Sequence, residues 1–157
     1  MRIEAPRPVA PTLVFGIGNP SRGDDAIGPL IIERLEREQS AGRLPGVDLL
    51  TDFQLQPEHV LDLRGRARVI FVDASMRGTE PYRLSPVRAC DAGTHSTHST
   101  SPEGLLLIYR SLYGASPCAE LMAVLGYHFA LGAEPSARAR GNLDSALGVL
   151  LMRLSGP

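Results

Sequence analysis

The stretch that decides the fold is TLVFGIGNPSRGDDAIGPLIIERLERE, residues 12–38. Its first six residues, 12–17, are apolar and end beside glycine, which predicts a short strand buried on both faces. After the polar turn GNPSRGDD, apolar residues return at helical spacing over 26–38, with charged residues between them. The stretch therefore predicts a strand, an acidic turn and an amphipathic helix, in that order.

The rest of the chain continues this alternation of strands and helices. Segments rich in β-branched and apolar residues predict further strands over 47–51, 68–73 and 120–127. A weaker strand is predicted over 81–89, at an edge of the sheet, because Pro86 cannot serve a central ladder.

Two later helices are predicted, over 102–113 with Ser101 as its cap and over 142–154, and Pro57 stands where another helix can begin. Alternating strands and helices predict an α/β fold: a single domain with a twisted, mostly parallel sheet of about five strands and helices on both faces. This domain is predicted to cover residues 12–157. Residues 1–11 contain three prolines, which predicts a flexible N-terminal tail.

The composition excludes several classes of protein. Lys and Arg number 16 against 17 Asp and Glu, so the charge predicts neither a nucleic acid nor a membrane surface as a partner. The two cysteines, Cys90 and Cys118, form no Cys-x-x-Cys pair. The first 15 residues lack the apolar stretch of a signal peptide, and no run reaches the roughly 18 apolar residues of a membrane helix. We therefore expect a cytoplasmic protein.

Two adjacent carboxylates, Asp24 and Asp25, lie at the start of the first predicted helix, where the helix dipole favours negative charge. The nearby Gly16 and Gly18 suggest a dinucleotide site, but that pattern needs a third glycine where Ser21 stands. Two carboxylates would also repel a pyrophosphate. The aspartates are therefore either a helix cap with a solvated charge or part of an acidic site.

Three further polar residues are candidates for chemistry. Asp73 ends the apolar strand RVIFVD, where a buried carboxylate needs a partner, although a loop aspartate bonded to backbone amides is the ordinary alternative. His95 and His98 lie in the polar segment THSTHST, where an exposed side chain is the ordinary alternative. The carboxyl ends of parallel strands meet at one edge of a sheet. Two carboxylates and an imidazole gathered there would suit nickel or zinc better than magnesium.

Four blocks follow one another in an order more specific than any single block: VFGIGNPSRGDDAIGPLIIERL, DFQLQPEHVLDL, VIFVDAS and THSTSPEGLLLI. Together they resemble the hydrogenase maturation proteases from about residue 12 to residue 154. The first block carries the glycine and acid pattern of that family, and the second its Gln-Leu-x-Pro-Glu element. The matching positions are Gly16, Gly18, Asn19, Asp24, Asp25, Gly28, Gln54, Leu55, Pro57 and Glu58.

This resemblance implies an endopeptidase that removes a C-terminal peptide from the nickel-loaded precursor of a nickel-iron hydrogenase large subunit. It implies Asp25, Asp73 and His98 as both catalytic residues and metal ligands. The nickel is expected to arrive with the substrate precursor, and no tightly bound organic cofactor is expected. Some family members have glutamate where Asp25 stands, so Asp24 is a second candidate, and His95 has no assigned counterpart. A non-cleaving nickel-checking chaperone and an unrelated metal-dependent hydrolase are the alternatives.

Overall fold

The computed structural model describes residues 8–90 and 100–156, and its helices and strands alternate along the chain. In chain order these are β1 (Thr12–Ile17), α1 (Ile27–Ser40), β2 (Val47–Asp52), β3 (Arg68–Ser75), β4 (Tyr82–Val87), α2 (Pro102–Tyr113), β5 (Cys118–Leu125) and α3 (Ala137–Leu154). Short 3₁₀ helices cover Gly23–Ala26, directly before α1, and Pro57–Leu63, between β2 and β3.

The five strands form one sheet in the order β2-β1-β3-β5-β4. Strands β2, β1, β3 and β5 are parallel, and β4 joins the edge antiparallel to β5. Pro86 lies in this edge strand, as its missing N–H requires. The predicted α/β class, with a mostly parallel five-stranded sheet, is confirmed.

Two hydrophobic cores lie on the two faces of the sheet, because successive residues of a strand point to opposite faces. Val14 and Ile70 belong to the core that includes residues of α1 and α3. Phe15 and Phe71 belong to the core that includes residues of α2 and of the 3₁₀ helix Pro57–Leu63. The helices therefore cover both faces, as the sequence predicts.

Two boundaries differ from the sequence prediction near the end of the chain. Helix α3 begins at Ala137 rather than at residue 142, because Ser136 caps it and accepts a hydrogen bond from the N–H of Ala139 at 3.2 Å. The segment ARARG, residues 137–141, has no apolar periodicity that would have indicated a helix. Strand β5 ends at Leu125, since the next residues turn towards Asp24 and the N–H of Tyr127 donates to its carboxylate.

Residues 1–7 of the predicted tail lie outside the described part of the chain. Within the described part, no helix combines the length and apolar character that a membrane span requires.

Candidate active site

The site begins with an unusually close approach between the end of β1 and the start of α1. A Cβ at Gly28 would lie 2.3 Å from the carbonyl oxygen of Ile17, and one at Gly16 would lie 2.6 Å from the carbonyl oxygen of Gly28. Gly18 has a φ of +147°, and a Cβ there would lie 1.9 Å from the carbonyl oxygen of Asp25. Only glycine fits these positions, so the glycine pattern holds the acidic 3₁₀ turn against the carboxyl edge of the sheet.

The first carboxylate of this turn, Asp24, is completely buried and saturated with hydrogen bonds. It accepts from the backbone N–H groups of Tyr127 (2.7 Å), His128 (3.0 Å) and Ser136 (2.6 Å), and from the Ser136 hydroxyl (2.9 Å). Burial raises the pKa of Asp24, but these donors outweigh it and leave the pKa below its usual value. Asp24 therefore ties the turn to the connection between β5 and α3, and it has no free position for a substrate or a metal.

The second carboxylate, Asp25, is half-buried, so part of its side chain is exposed to solvent. Its Oδ2 accepts a hydrogen bond from the N–H of Asn19 at 2.7 Å, which fixes the side chain across the mouth of the turn. Within residues 8–90 and 100–156, its other oxygen accepts no hydrogen bond. Asp25 thus has an oriented carboxylate at the edge of the sheet, and its second oxygen has no donor among the described residues.

Asp73 lies near the end of β3 and is paired in register with Ile17 of β1, which places it beside the start of the same turn. Burial among the central strands is the main reason why its pKa rises to about 7, and the negative charge of Asp25 adds to the effect. A hydrogen bond from the backbone of Ala74 offsets only part of this rise. The structure therefore brings Asp25 and Asp73 close enough to repel each other, and we call them the carboxylate pair.

The carboxylate pair has no cationic partner among the described residues, because none of their ion pairs involves Asp25 or Asp73. Two mutually repelling carboxylates favour a proton or a metal cation between them. The described residues provide no cluster of three or more His, Cys, Asp and Glu side chains that would hold a metal. Two of the three predicted ligands are therefore together, and they do not form a complete metal centre by themselves.

The two histidines of the predicted site, His95 and His98, lie outside the described residues. The described chain resumes at Thr100, whose N–H donates to the carbonyl oxygen of Leu55 at 3.1 Å. Leu55 belongs to the segment that follows β2 at the carboxyl edge of the sheet. The placement of His98 as a third ligand stays a prediction.

His59 lies at this edge, although the sequence did not single it out as a site residue. Its Nδ1 accepts the N–H of Gln56 at 2.8 Å, so its Nε2 carries the hydrogen and donates to Asp52 at 3.0 Å. The ring also packs edge-on against Phe15, with centroids 4.8 Å apart. The hydrogen bond to Asp52 holds the Gln-Leu-x-Pro-Glu segment against the end of β2. The proline that starts the 3₁₀ helix was the available sequence signal, but the aspartate partner was not recognisable.

A shallow cleft of about 280 Å³ lies between the β1 turn and the end of β2. It is lined by Gly18, Pro20, Pro29, Thr51, Asp52 and Phe53. Phe53 is 62% exposed, which is uncommon for a side chain of this size and gives the cleft an apolar rim. The cleft lies beside the turn that carries Asp25.

No protein-family model and no curated protein matches the chain. Its fold, in contrast, matches solved structures over nearly its full length. The NiFe hydrogenase maturation protease HycI from Thermococcus kodakarensis KOD1 is 23% identical over 94% of each chain, with a TM-score of 0.73. The hydrogenase maturating endopeptidase HybD from E. coli is 24% identical over 91% of each chain, with a TM-score of 0.74.

The solution structure of an endopeptidase from Escherichia coli is also similar, at 24% identity over 92% of this chain and 93% of that chain, with a TM-score of 0.70. At these identities the likeness establishes the fold. The resemblance that the four sequence blocks predict is therefore confirmed as a shared architecture.

Proposed function

We propose that this chain is a hydrogenase maturation endopeptidase, which removes a C-terminal peptide from the nickel-loaded precursor of a nickel-iron hydrogenase large subunit. The observation that carries this proposal is the carboxylate pair, which lies at the carboxyl edge of the sheet without a cation from the described residues. The shared fold with HycI and HybD supports it.

Nickel enters this proposal as part of the substrate. Oxygen ligands from Asp25 and Asp73, joined by the imidazole of His98, form a mixed set that suits a borderline divalent cation. Without a cation, repulsion from Asp25 contributes to the raised pKa of Asp73. A cation that binds the carboxylate pair would remove this repulsion. A precursor without metal would leave that repulsion in place, so the site favours the loaded form.

Hydrolysis then needs a water molecule and a base beside the bond that is cut. In the free protein the pKa of Asp73 is about 7, and a cation bound beside it would lower that pKa. Asp73 would then be ionised in the loaded complex and able to accept a proton from the water. The substrate metal would polarise the water or the peptide carbonyl. Asp25, fixed by the N–H of Asn19, orients the loaded end of the precursor.

The test is to incubate the protein with nickel-loaded and with nickel-free precursor and to follow the mass of the large subunit by mass spectrometry. The proposal expects loss of the C-terminal peptide from the loaded form only. Equal shortening of both forms, or of neither, would contradict it. A complex that binds the loaded precursor and leaves its mass unchanged would instead identify a nickel-checking chaperone.

A further inference from the structure

A second cleft lies on the same face of the sheet as Asp73, two strands away. Ala123 of β5 is paired in register with Asp73 of β3 on one side and with Arg83 of β4 on the other. Side chains paired in this way point to the same face, so Asp73 and Arg83 face the same side across two strand spacings, about 10 Å. Among the described residues, the small Ala123 leaves space between the two side chains.

Helix α2 does not extend over this end of the sheet. The buried cluster that contains α2 residues includes Val87 and Ala119. These two residues are paired with each other, at the end of β4 and β5 that is farther from Arg83. Beyond them lies a cleft of about 230 Å³, whose lining includes Ser75, Arg77, Arg83 and Ala123. We call this the arginine cleft.

Arg77 and Arg83 are the two charged side chains that line the arginine cleft. Both are exposed, and within the described residues no carboxylate forms an ion pair with either of them. Arg138 is different, since its guanidinium binds both oxygens of Glu80 at 2.8 Å. The backbone of Arg77 is held by Ser75, whose hydroxyl donates to its carbonyl oxygen and accepts its N–H.

A guanidinium group binds a carboxylate through two parallel hydrogen bonds, which distinguishes this ligand from neutral peptide groups. An extended peptide advances about 3.3 Å per residue, so the 10 Å between Asp73 and Arg83 corresponds to about three residues. Arg83, whose backbone lies at this spacing from Asp73, and the neighbouring Arg77 therefore match an acidic group on the peptide that is being cut.

We propose that the arginine cleft is a specificity subsite that binds a carboxylate of the substrate peptide, about three residues from the cleaved bond. This inference rests on the proposed function, and it adds a requirement that the carboxylate pair does not impose. The carboxylate is either an acidic side chain or the C-terminal carboxylate of the precursor. Arg83 donates the hydrogen bonds that recognise this carboxylate, and Arg77, which follows β3, adds a second positive charge to the cleft.

The experiment measures the affinity of the nickel-loaded precursor for wild type, Arg83→Met and the double variant Arg77→Met with Arg83→Met. Methionine keeps an apolar stem and removes the charge. The expected result is a loss of about tenfold in affinity for Arg83→Met, as for one charge-assisted hydrogen bond, and a larger loss for the double variant. In cleavage assays the same variants should raise KM and leave kcat within about twofold.

Arg88→Met is the matched control, because Arg88 is exposed and follows β4 at its opposite end, away from Asp73. It should bind like wild type. Two altered precursors identify the ligand: one with the acidic side chains within four residues of the cut changed to amides, and one with an amidated C-terminus. One of the two altered precursors should bind wild type more weakly than the natural precursor does. That altered precursor should bind the Arg83→Met variant no more weakly than it binds wild type.

Affinities within twofold of wild type for both arginine variants would overturn the proposed subsite, as would an equal loss in Arg88→Met. An unchanged affinity of both altered precursors would also overturn it, since the arginines would then bind something other than a peptide carboxylate. Arginine-dependent binding without cleavage would contradict the proposed endopeptidase and leave the subsite standing. Cleavage that is independent of both arginines would contradict the subsite alone.

Discussion

Asp24 and Asp25 are neighbours in the sequence, yet they lie in two regions of opposite character. The region around Asp24 is a buried junction in which one carboxylate accepts four hydrogen bonds from Tyr127, His128 and Ser136. At the edge of the sheet, Asp25 and Asp73 are partly exposed and accept few hydrogen bonds, and no cationic side chain among the described residues pairs with them. The number of donors around each carboxylate therefore suits Asp24 to a structural role and Asp25 to the proposed site.

The two regions also shift the carboxyl pKa in opposite directions. Four donors hold the pKa of Asp24 below its usual value despite complete burial. Burial and the charge of Asp25 raise the pKa of Asp73 to about 7. The junction is thus stabilised by its negative charge, whereas burial and repulsion at the edge disfavour the charged form of Asp73.

The largest expected effect is on activity at the edge. Asp73→Asn removes the proposed base and one metal ligand, and should lower kcat/KM for the nickel-loaded precursor by about 10³-fold. Asp25→Asn should lower it by about 10²-fold. Rates of peptide release measured by mass spectrometry test both values.

Asp144→Asn serves as the control, because Asp144 is an exposed carboxylate on α3 that pairs only loosely with Arg34, at 3.6 Å. It should cleave at the wild-type rate. Wild-type rates in Asp25→Asn and Asp73→Asn as well would remove the carboxylate pair from the mechanism.

The next effect is on stability at the junction. Asp24→Asn places an amide group against backbone N–H donors, and should lower the free energy of unfolding by about 3 kcal/mol. Urea denaturation at pH 7 measures this value. Asp25→Asn is the matched change one residue away and should cost less than about 1 kcal/mol. Equal losses in the two variants would show that the junction and the edge do not differ in the way described.

A smaller effect is a pH dependence of stability at Asp73. Since its pKa is raised on folding from 3.8 to about 7, the stability contributed by the protonated form is complete below pH 4 and is lost as the pH rises towards 7. Discounted for partial exposure, the loss is about 2 kcal/mol. Asp73→Asn should therefore unfold like wild type at pH 4 and be more stable at pH 8. A constant difference between the two proteins across this range would contradict the raised pKa.

The smallest effect concerns His59, which closes the segment after β2. His59→Leu removes the acceptor for the Gln56 N–H and the contact with Asp52, and should cost about 1 kcal/mol of unfolding free energy. His59→Gln can still accept a hydrogen bond and should recover part of this loss. Identical urea midpoints for His59→Leu and wild type would show that the segment is held by other contacts.

The sheet and the position of the carboxylate pair could be predicted from local sequence. The apolar strands and their polar ends indicated the sheet. The positions of Asp73 at the end of one strand and of Asp25 in the turn after another indicated that they meet. The role of Asp24 could not be predicted, because its donors Tyr127 and Ser136 come from more than one hundred residues later in the chain.

Two other features also depend on long-range pairing. The antiparallel register that places Arg83 beside Ala123 sets the position of the arginine cleft, and no local pattern determines it. The start of α3 was missed because its first turn contains alternating alanine and arginine rather than an apolar stripe. Local sequence thus predicts which residues end a strand, whereas the fold decides which of them are paired.

The most direct test of the account is whether the carboxylate pair itself senses the metal. Affinities of nickel-loaded and nickel-free precursor should be measured for wild type and for the double variant Asp25→Asn with Asp73→Asn. The account predicts that wild type binds the loaded precursor at least about tenfold more tightly and that the double variant binds both forms equally. A double variant that keeps the wild-type preference for the loaded precursor would contradict it.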